Sequence, residues 1–124
     1  MTSEWLAEMY PEGGIEDNNG QYVFESGKDI KLFCTLTEAG LNEGLTTRDL
    51  RFQTPSGDIV KPNATSNNIT VSLVIVNATA PDSGQYNCGN ISSGERFSML
   101  RAMALEIGCK MHFPFDGFFC LSSY

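Results

Sequence analysis

Basic charge is scarce in this chain. Lys and Arg number 8 against 15 Asp and Glu, and the net charge is −7. Nucleic acids are bound through phosphates that Lys and Arg neutralise, so this balance argues against a nucleic-acid partner. It argues equally against a charge-driven seat on an anionic membrane. Long apolar runs are absent too. No window approaches the ~20 apolar residues that cross a bilayer, so this segment has no direct route into a membrane. The opening "MTSEWLAEMYPEGG" has neither the basic n-region nor the apolar h-region of a secretory leader. We expect either that a leader was removed or that the chain is a fragment.

Histidine is nearly absent as well. The single one, His112, lies in an unusual tail, and any Ser–His–Asp or Cys–His arrangement would have to use it. Nothing in the sequence sets a nucleophile beside it. Carboxylates are plentiful, but "ESGKD" and "GIED" read as solvated turns. No Gly-rich loop precedes a helix, so phosphate cradling has no support. The expectation is a non-enzyme with no cofactor and no metal.

What remains fits one globular domain. The 124 residues are 41% apolar and 19% charged. A chain of this size buries roughly two-thirds of its unfolded surface. Turn signals recur at short intervals ("PEGG", "DNNG", "ESG", "NEG", "TPSGD", "KPN", "APDSG", "SSG"). The runs between them are rich in β-branched and aromatic residues, which is the pattern of many short strands. In "KDIKLFCTL", Ile30, Leu32, Cys34 and Leu36 share one face, and Asp29, Lys31, Phe33 and Thr35 share the other. In "NITVSLVIV", Ile69, Val71, Leu73 and Ile75 align. Leu50 and Phe52 align in "DLRFQ", and Tyr86 and Cys88 point inward in "GQYNC". Period two means strands with one wet face and one buried face.

Cys34 and Cys88 lie mid-strand and 54 residues apart, unlike the close pairs of structural zinc sites. A bond between them would tie two strands through the core. A loop of that length is worth roughly 4 kcal/mol in the chain-entropy model.

Cys34 on an early strand and "D-S-G-Q-Y-N-C" on a late one resemble the immunoglobulin fold. The resemblance spans residues ~20 to ~107. It implies an all-β, two-sheet antiparallel sandwich with a core disulfide between Cys34 and Cys88. It implies that Tyr86 forms the tyrosine corner, its hydroxyl bonding back to upstream backbone. Gly84 would permit the tight approach. Asp82 would accept from turn amides or pair with a base, Lys61 being a weak candidate. The tryptophan usual against the disulfide is missing, and Phe52 stands in its slot. The lone Trp5 lies outside the match. The short cysteine spacing looks like the intermediate or C2 type. Strands are expected at 20–25 (A/A′), 28–37 (B), 48–54 (C), 57–60 (C′), 68–76 (E), 84–90 (F) and within 96–107 (G). The organisation expected is an N-terminal extension at 1–19, the domain at 20–107 and a separate tail at 108–124. In "MLRAMALE" the good helix formers compete with the need to complete the sheet.

Four N-x-S/T sequons, at Asn63, Asn68, Asn77 and Asn90, fall within 28 residues. At least two are expected to carry glycans, which requires the secretory pathway. Asn63 and Asn90 would also serve simply as turn residues. Asn68 is expected on the outward face of its strand. Filled sites would coat the E-strand region in sugar and send a partner elsewhere.

The tail "GCKMHFPFDGFFCLSSY" crowds four phenylalanines into seven residues. Cys109 and Cys120 could close a second disulfide, pair with another chain, or stay unpaired in a truncated or mis-spliced product. Cys109, His112, Asp116 and Cys120 could be read as zinc ligands, but their spacing matches no structural zinc pattern.

What the resemblance implies for function is recognition. The chain looks like an extracellular, glycosylated module of a cell-surface adhesion molecule or receptor that binds a protein partner, homophilic or heterophilic. It could also be a ligand-binding ectodomain piece of a signalling receptor (tyrosine kinase or phosphatase type), or a soluble secreted immune-type binder. The expected location is extracellular, at the plasma membrane through a parent chain, or secreted. The G–F–C sheet face and the loops at 38–47 and 89–96 are the candidate contact surfaces.

Overall fold

The computed structural model describes residues 5–105, which form two packed sheets, antiparallel except for one parallel pairing in the second. The strands are β1 (Ala7–Glu12), β2 (Ile15–Glu16), β3 (Gln21–Glu25), β4 (Ile30–Leu36), β5 (Arg51–Gln53), β6 (Ile59–Val60), β7 (Ala64–Ser66), β8 (Thr70–Ile75), β9 (Gly84–Asn90) and β10 (Glu95–Leu105). One short helix, α1 (Glu38–Asn42), follows β4. The first sheet runs β1-β4-β8-β7. The second runs β2-β3-β10-β9-β5-β6.

Side-chain alternation sets the layers. On β4, Ile30, Leu32, Cys34 and Leu36 are buried while Lys31, Phe33 and Thr35 are not. Val71 and Leu73 of β8 meet them from the neighbouring strand, through Cys34↔Val71 and Leu32↔Leu73. The second sheet contributes Phe52, Tyr86, Cys88, Phe97 and Leu100. Fully burying a large apolar side chain contributes about 1.5–3 kcal/mol, so this shared layer is the main stabilising term.

The strands expected as B, C, C′, E, F and G are β4, β5, β6, β8, β9 and β10. Two findings correct the sequence reading of the edges. Residues 7–12, expected within an N-terminal extension, are a full strand paired with β4 from Ala7↔Leu36 to Glu12↔Lys31, with Ala7 wholly buried. Its Pro11 is tolerated because β1 is an edge strand. Met9 N–H, on the free side of β1, donates to Ser98 Oγ at 3.0 Å and closes that edge onto β10. Residues 64–66 form the short edge strand β7, which the sequence reading did not anticipate.

After β1 the chain crosses at Gly13-Gly14 and makes a small hairpin, β2–β3, before β3 aligns parallel with β10 (Arg101↔Gln21 through Leu105↔Glu25). The helix formers of "MLRAMALE" are therefore strand. β10 is hydrogen-bonded on both sides, to β3 and to β9. Sheet pairing overrides local propensity here. The separate tail expected at 108–124, with Cys109 and Cys120, lies outside the described residues.

Candidate interaction face

The bridge between the sheets joins Cys34 and Cys88, with sulfurs 2.03 Å apart and Cα atoms 6.5 Å apart. Both cysteines are fully buried. Phe52 sits beside them, directly opposite Cys88 in the β5–β9 register and itself fully buried. A benzyl group thus lies buried beside the bridge.

Tyr86, also buried, donates from its hydroxyl to the backbone carbonyl of Asp82. Burial, and to a smaller extent the nearby Asp82 carboxylate, push its phenol up to about 12. Asp82 Oδ2 accepts from Thr79 N at 2.9 Å, so its role is to close the turn before β9. Lys61 takes no part: the one ion pair among the described residues joins Lys31 and Glu12, 3.7 Å apart. Gly84 opens β9 at φ +142°, where a Cβ would come within 2.8 Å of Pro55 Cβ.

The outer faces of the two sheets differ in chemistry. On the β1-β4-β8-β7 sheet the outward groups are engaged with one another. Tyr10 stacks on Phe33 with ring centroids 5.2 Å apart, and Lys31 Nζ sits 5.3 Å from the Phe33 centroid. Hydroxyls link Tyr10 to Thr35 (3.2 Å) and Thr35 to Thr70 (2.9 Å).

On the opposite sheet, register places Met99, Asn87, Gln53 and Ile59 in one row across β10, β9, β5 and β6. The next row toward the loop end holds Arg96, Gly89 and Arg51. The row on the other side pairs Arg101 with Gln85. An amide ladder runs through the middle. Gln85 Nε2 donates to Asn87 Oδ1 (2.8 Å), Asn87 Nδ2 to Gln53 Oε1 (3.0 Å), and Gln53 Nε2 to Gly57 O (3.2 Å). Met99 and Ile59 flank the ladder and are 43% and 48% exposed. Ile15 and Leu105 add exposed apolar surface toward the β2 edge.

Gly89 is required by the β-bulge between Arg96 and Ser98. A Cβ there would lie 2.3 Å from Glu95 O and 2.7 Å from Phe97 N. The bulge puts Phe97 and Ser98 both inward, and so sets Arg96 and Met99 outward on either side of it.

The loops expected at the contact end take more definite forms. The stretch at 38–47 is not an open acidic loop. Its first part is α1, capped by Thr37 Oγ1, which accepts from Gly40 N at 3.2 Å. Thr37 also ties the chain start down, donating from Oγ1 to Trp5 O (2.8 Å) and from N to Leu6 O (3.1 Å). The 89–96 connection is a single 3-10 turn at 91–93 closed by Gly94.

Of the sequons, Asn63, Asn68 and Asn77 are exposed and Asn90 is half-buried. Asn68 is in the turn between β7 and β8, at φ +65° beside Asn67 at +54°, and not on a strand face. Asn77, at φ +55°, lies beyond β8. Asn63 Oδ1 accepts from Val74 N at 2.7 Å, extending the β7–β8 pairing by one step. Three sequons thus border the first sheet, and only Asn90 belongs to the second. Among the described residues no group of three or more His, Cys, Asp or Glu side chains is placed to hold a metal. The zinc reading, with His112, falls outside them.

No protein-family model matches this chain, and no curated protein sequence matches it. Among solved structures, the first immunoglobulin domain of the mouse polymeric immunoglobulin receptor is 16% identical, covers 78% of this chain and 95% of its own, and superposes with a TM-score of 0.44. At that distance classification rests on the chain's own geometry. Two sheets bolted through their centres by Cys34–Cys88, with Tyr86 pinning the entry to β9 two residues before the second cysteine, give this chain an immunoglobulin-like sandwich fold.

Proposed function

We propose that this is an extracellular recognition module that binds a protein partner through the outer face of the β2-β3-β10-β9-β5-β6 sheet, in the manner of an adhesion or receptor domain. A core disulfide of this kind forms and persists in oxidising compartments, which supports a secreted or cell-surface setting. No helix among the described residues is long and apolar enough to cross a membrane.

The observation that carries the reading is the contrast between the two outer faces. One is bordered by three sequons, and its aromatic and hydroxyl groups bond to one another. The other displays Met99, Ile59, Ile15 and Leu105 among arginines and amides. Met and Arg are enriched in protein interfaces, and exposed apolar groups inside a polar rim mark contact sites.

The test uses the secreted, glycosylated chain as a labelled tetramer on a panel of live cells. Saturable staining of some cells is expected. It should be lost with I59D/M99D and kept with E8R, which alters the other sheet. Staining of no cell type, or loss with E8R alone, would contradict the proposal.

A further inference from the structure

We infer that the partner of this face is a different, acidic protein surface, one that presents carboxylates to Arg51, Arg96 and Arg101, and is not a second copy of this chain. The inference rests on the face assignment above. All four arginines of the chain, Arg48, Arg51, Arg96 and Arg101, belong to β5, β10 or the turn leading into β5. Arginine is thus gathered on one sheet of a protein of net charge −7, while Lys31 lies on the other sheet, paired with Glu12. The outward positions of the three central strands hold Arg51, Gln53, Gln85, Asn87, Gly89, Arg96, Met99, Arg101, Met103 and Leu105, with no carboxylate among them; the exposed carboxylates nearby are at the margins, Glu95 at the start of β10 and Glu25 on β3 opposite Leu105. Neither Arg96 nor Arg101 has an ion-pair partner among the described residues, and both are exposed.

Arg51 is already oriented. One guanidinium nitrogen donates to the carbonyls of Arg48 (3.0 Å) and Leu50 (2.8 Å), leaving the other donors of the fork for a ligand. Arg51 and Arg96 flank Gly89, which has no side chain to separate them. Two strand spacings put their backbones roughly 10 Å apart. A planar guanidinium matches a carboxylate with two parallel hydrogen bonds, and such charge-assisted pairs are about twice as strong as neutral ones.

The same charges disfavour self-pairing. A twofold interface must be self-complementary. Laying this face on its own copy would set six arginines around Met99 and the amide ladder with no opposing carboxylate from the central strands. Like-charge juxtaposition of that kind costs several kcal/mol.

The full chain, uniformly labelled with nitrogen-15, tests this with two synthetic probes, a (Glu-Gly-Leu) repeat peptide and its (Lys-Gly-Leu) counterpart. The acidic peptide is expected to shift the amides of Asn87, Gly89, Met99 and Arg101. Its affinity should fall at least tenfold in R51Q/R96Q/R101Q and decline as NaCl rises from about 50 to about 300 mM. The basic peptide should shift none of them, and the chain should sediment as a monomer. R96Q/R101Q, which leaves the Arg51 anchor intact, should show most of the loss and covers the case in which the triple variant folds poorly. Equal response to both peptides, affinity unchanged in the variants, tighter binding of a heparin fragment than of the acidic peptide, or a dimer that the variants dissociate would each overturn the inference. If I59D/M99D abolishes cell staining while R51Q/R96Q/R101Q keeps it, the face assignment stands and the acidic partner does not.

Discussion

The hydroxyl of Tyr86 donates to the carbonyl of Asp82, four residues upstream, and so fixes the turn at 79–82 to the strand that carries Cys88. At neutral pH, Y86F removes that one bond and is expected to lower stability by about 0.5–1.5 kcal/mol. The pH dependence gives a sharper signature. The folded phenol is raised to about 12 from an ordinary value of 10.0, so its contribution is intact below pH 10 and is lost as pH rises through 12. Two units correspond to roughly 2–3 kcal/mol. Thermal melts from pH 8 to 12 should show wild type above Y86F at the start and below it at the end. Parallel curves would remove the corner.

Phe52 occupies the position against the disulfide where an indole is usual. The core is packed around the smaller ring, so F52W is expected to destabilise by about 1–3 kcal/mol through overpacking. F52A should cost about 3–5 kcal/mol. Urea melts distinguish these outcomes. A stabilising F52W would mean that a cavity beside the bridge was waiting to be filled.

G89A tests the bulge that sets Arg96 and Met99 outward. The added methyl would meet backbone at 2.3 Å, and backbone cannot swing away as a side-chain end does. A loss of more than about 1 kcal/mol is expected, with amide shifts concentrated in β9 and β10. A melting temperature equal to wild type would show that the strands splay freely there.

Glycan occupancy follows exposure. Secreted chain treated with peptide N-glycosidase in heavy-oxygen water should show conversion at Asn68 and Asn77, both of which project from turns. Conversion confined to the half-buried Asn90 would put sugar on the proposed contact face and contradict the assignment of the other sheet as the coated one.

How legible these features were in the sequence depended on burial. β4, β8 and β9 announce themselves because one face of each is packed on the core, so polar and apolar residues alternate. β1 is an edge; Glu8 and Glu12 keep its period, but Tyr10 among the exposed positions and Pro11 among the inward ones hide it. β7 is three exposed residues between asparagines and has no apolar face to read. α1 did carry a signal, since Thr37 caps its start and Gly44, at φ +84°, closes its end. Its acidic composition masked that pattern as a loop. β10 was ambiguous because its residues favour helix, and only its two sheet neighbours decide the matter. The disulfide and the corner were readable because their residue types sit at fixed spacing. The arginine face was not, because β5 and β10 are separated by more than forty residues and meet only through β9.

The sandwich, its two chemically distinct faces and every role assigned to them depend on one covalent link. Peptide mapping of the secreted chain under non-reducing conditions reads that link directly. A single cross-linked species containing Cys34 and Cys88 is the predicted result. Either cysteine found free, or joined to Cys109 or Cys120, would contradict the account.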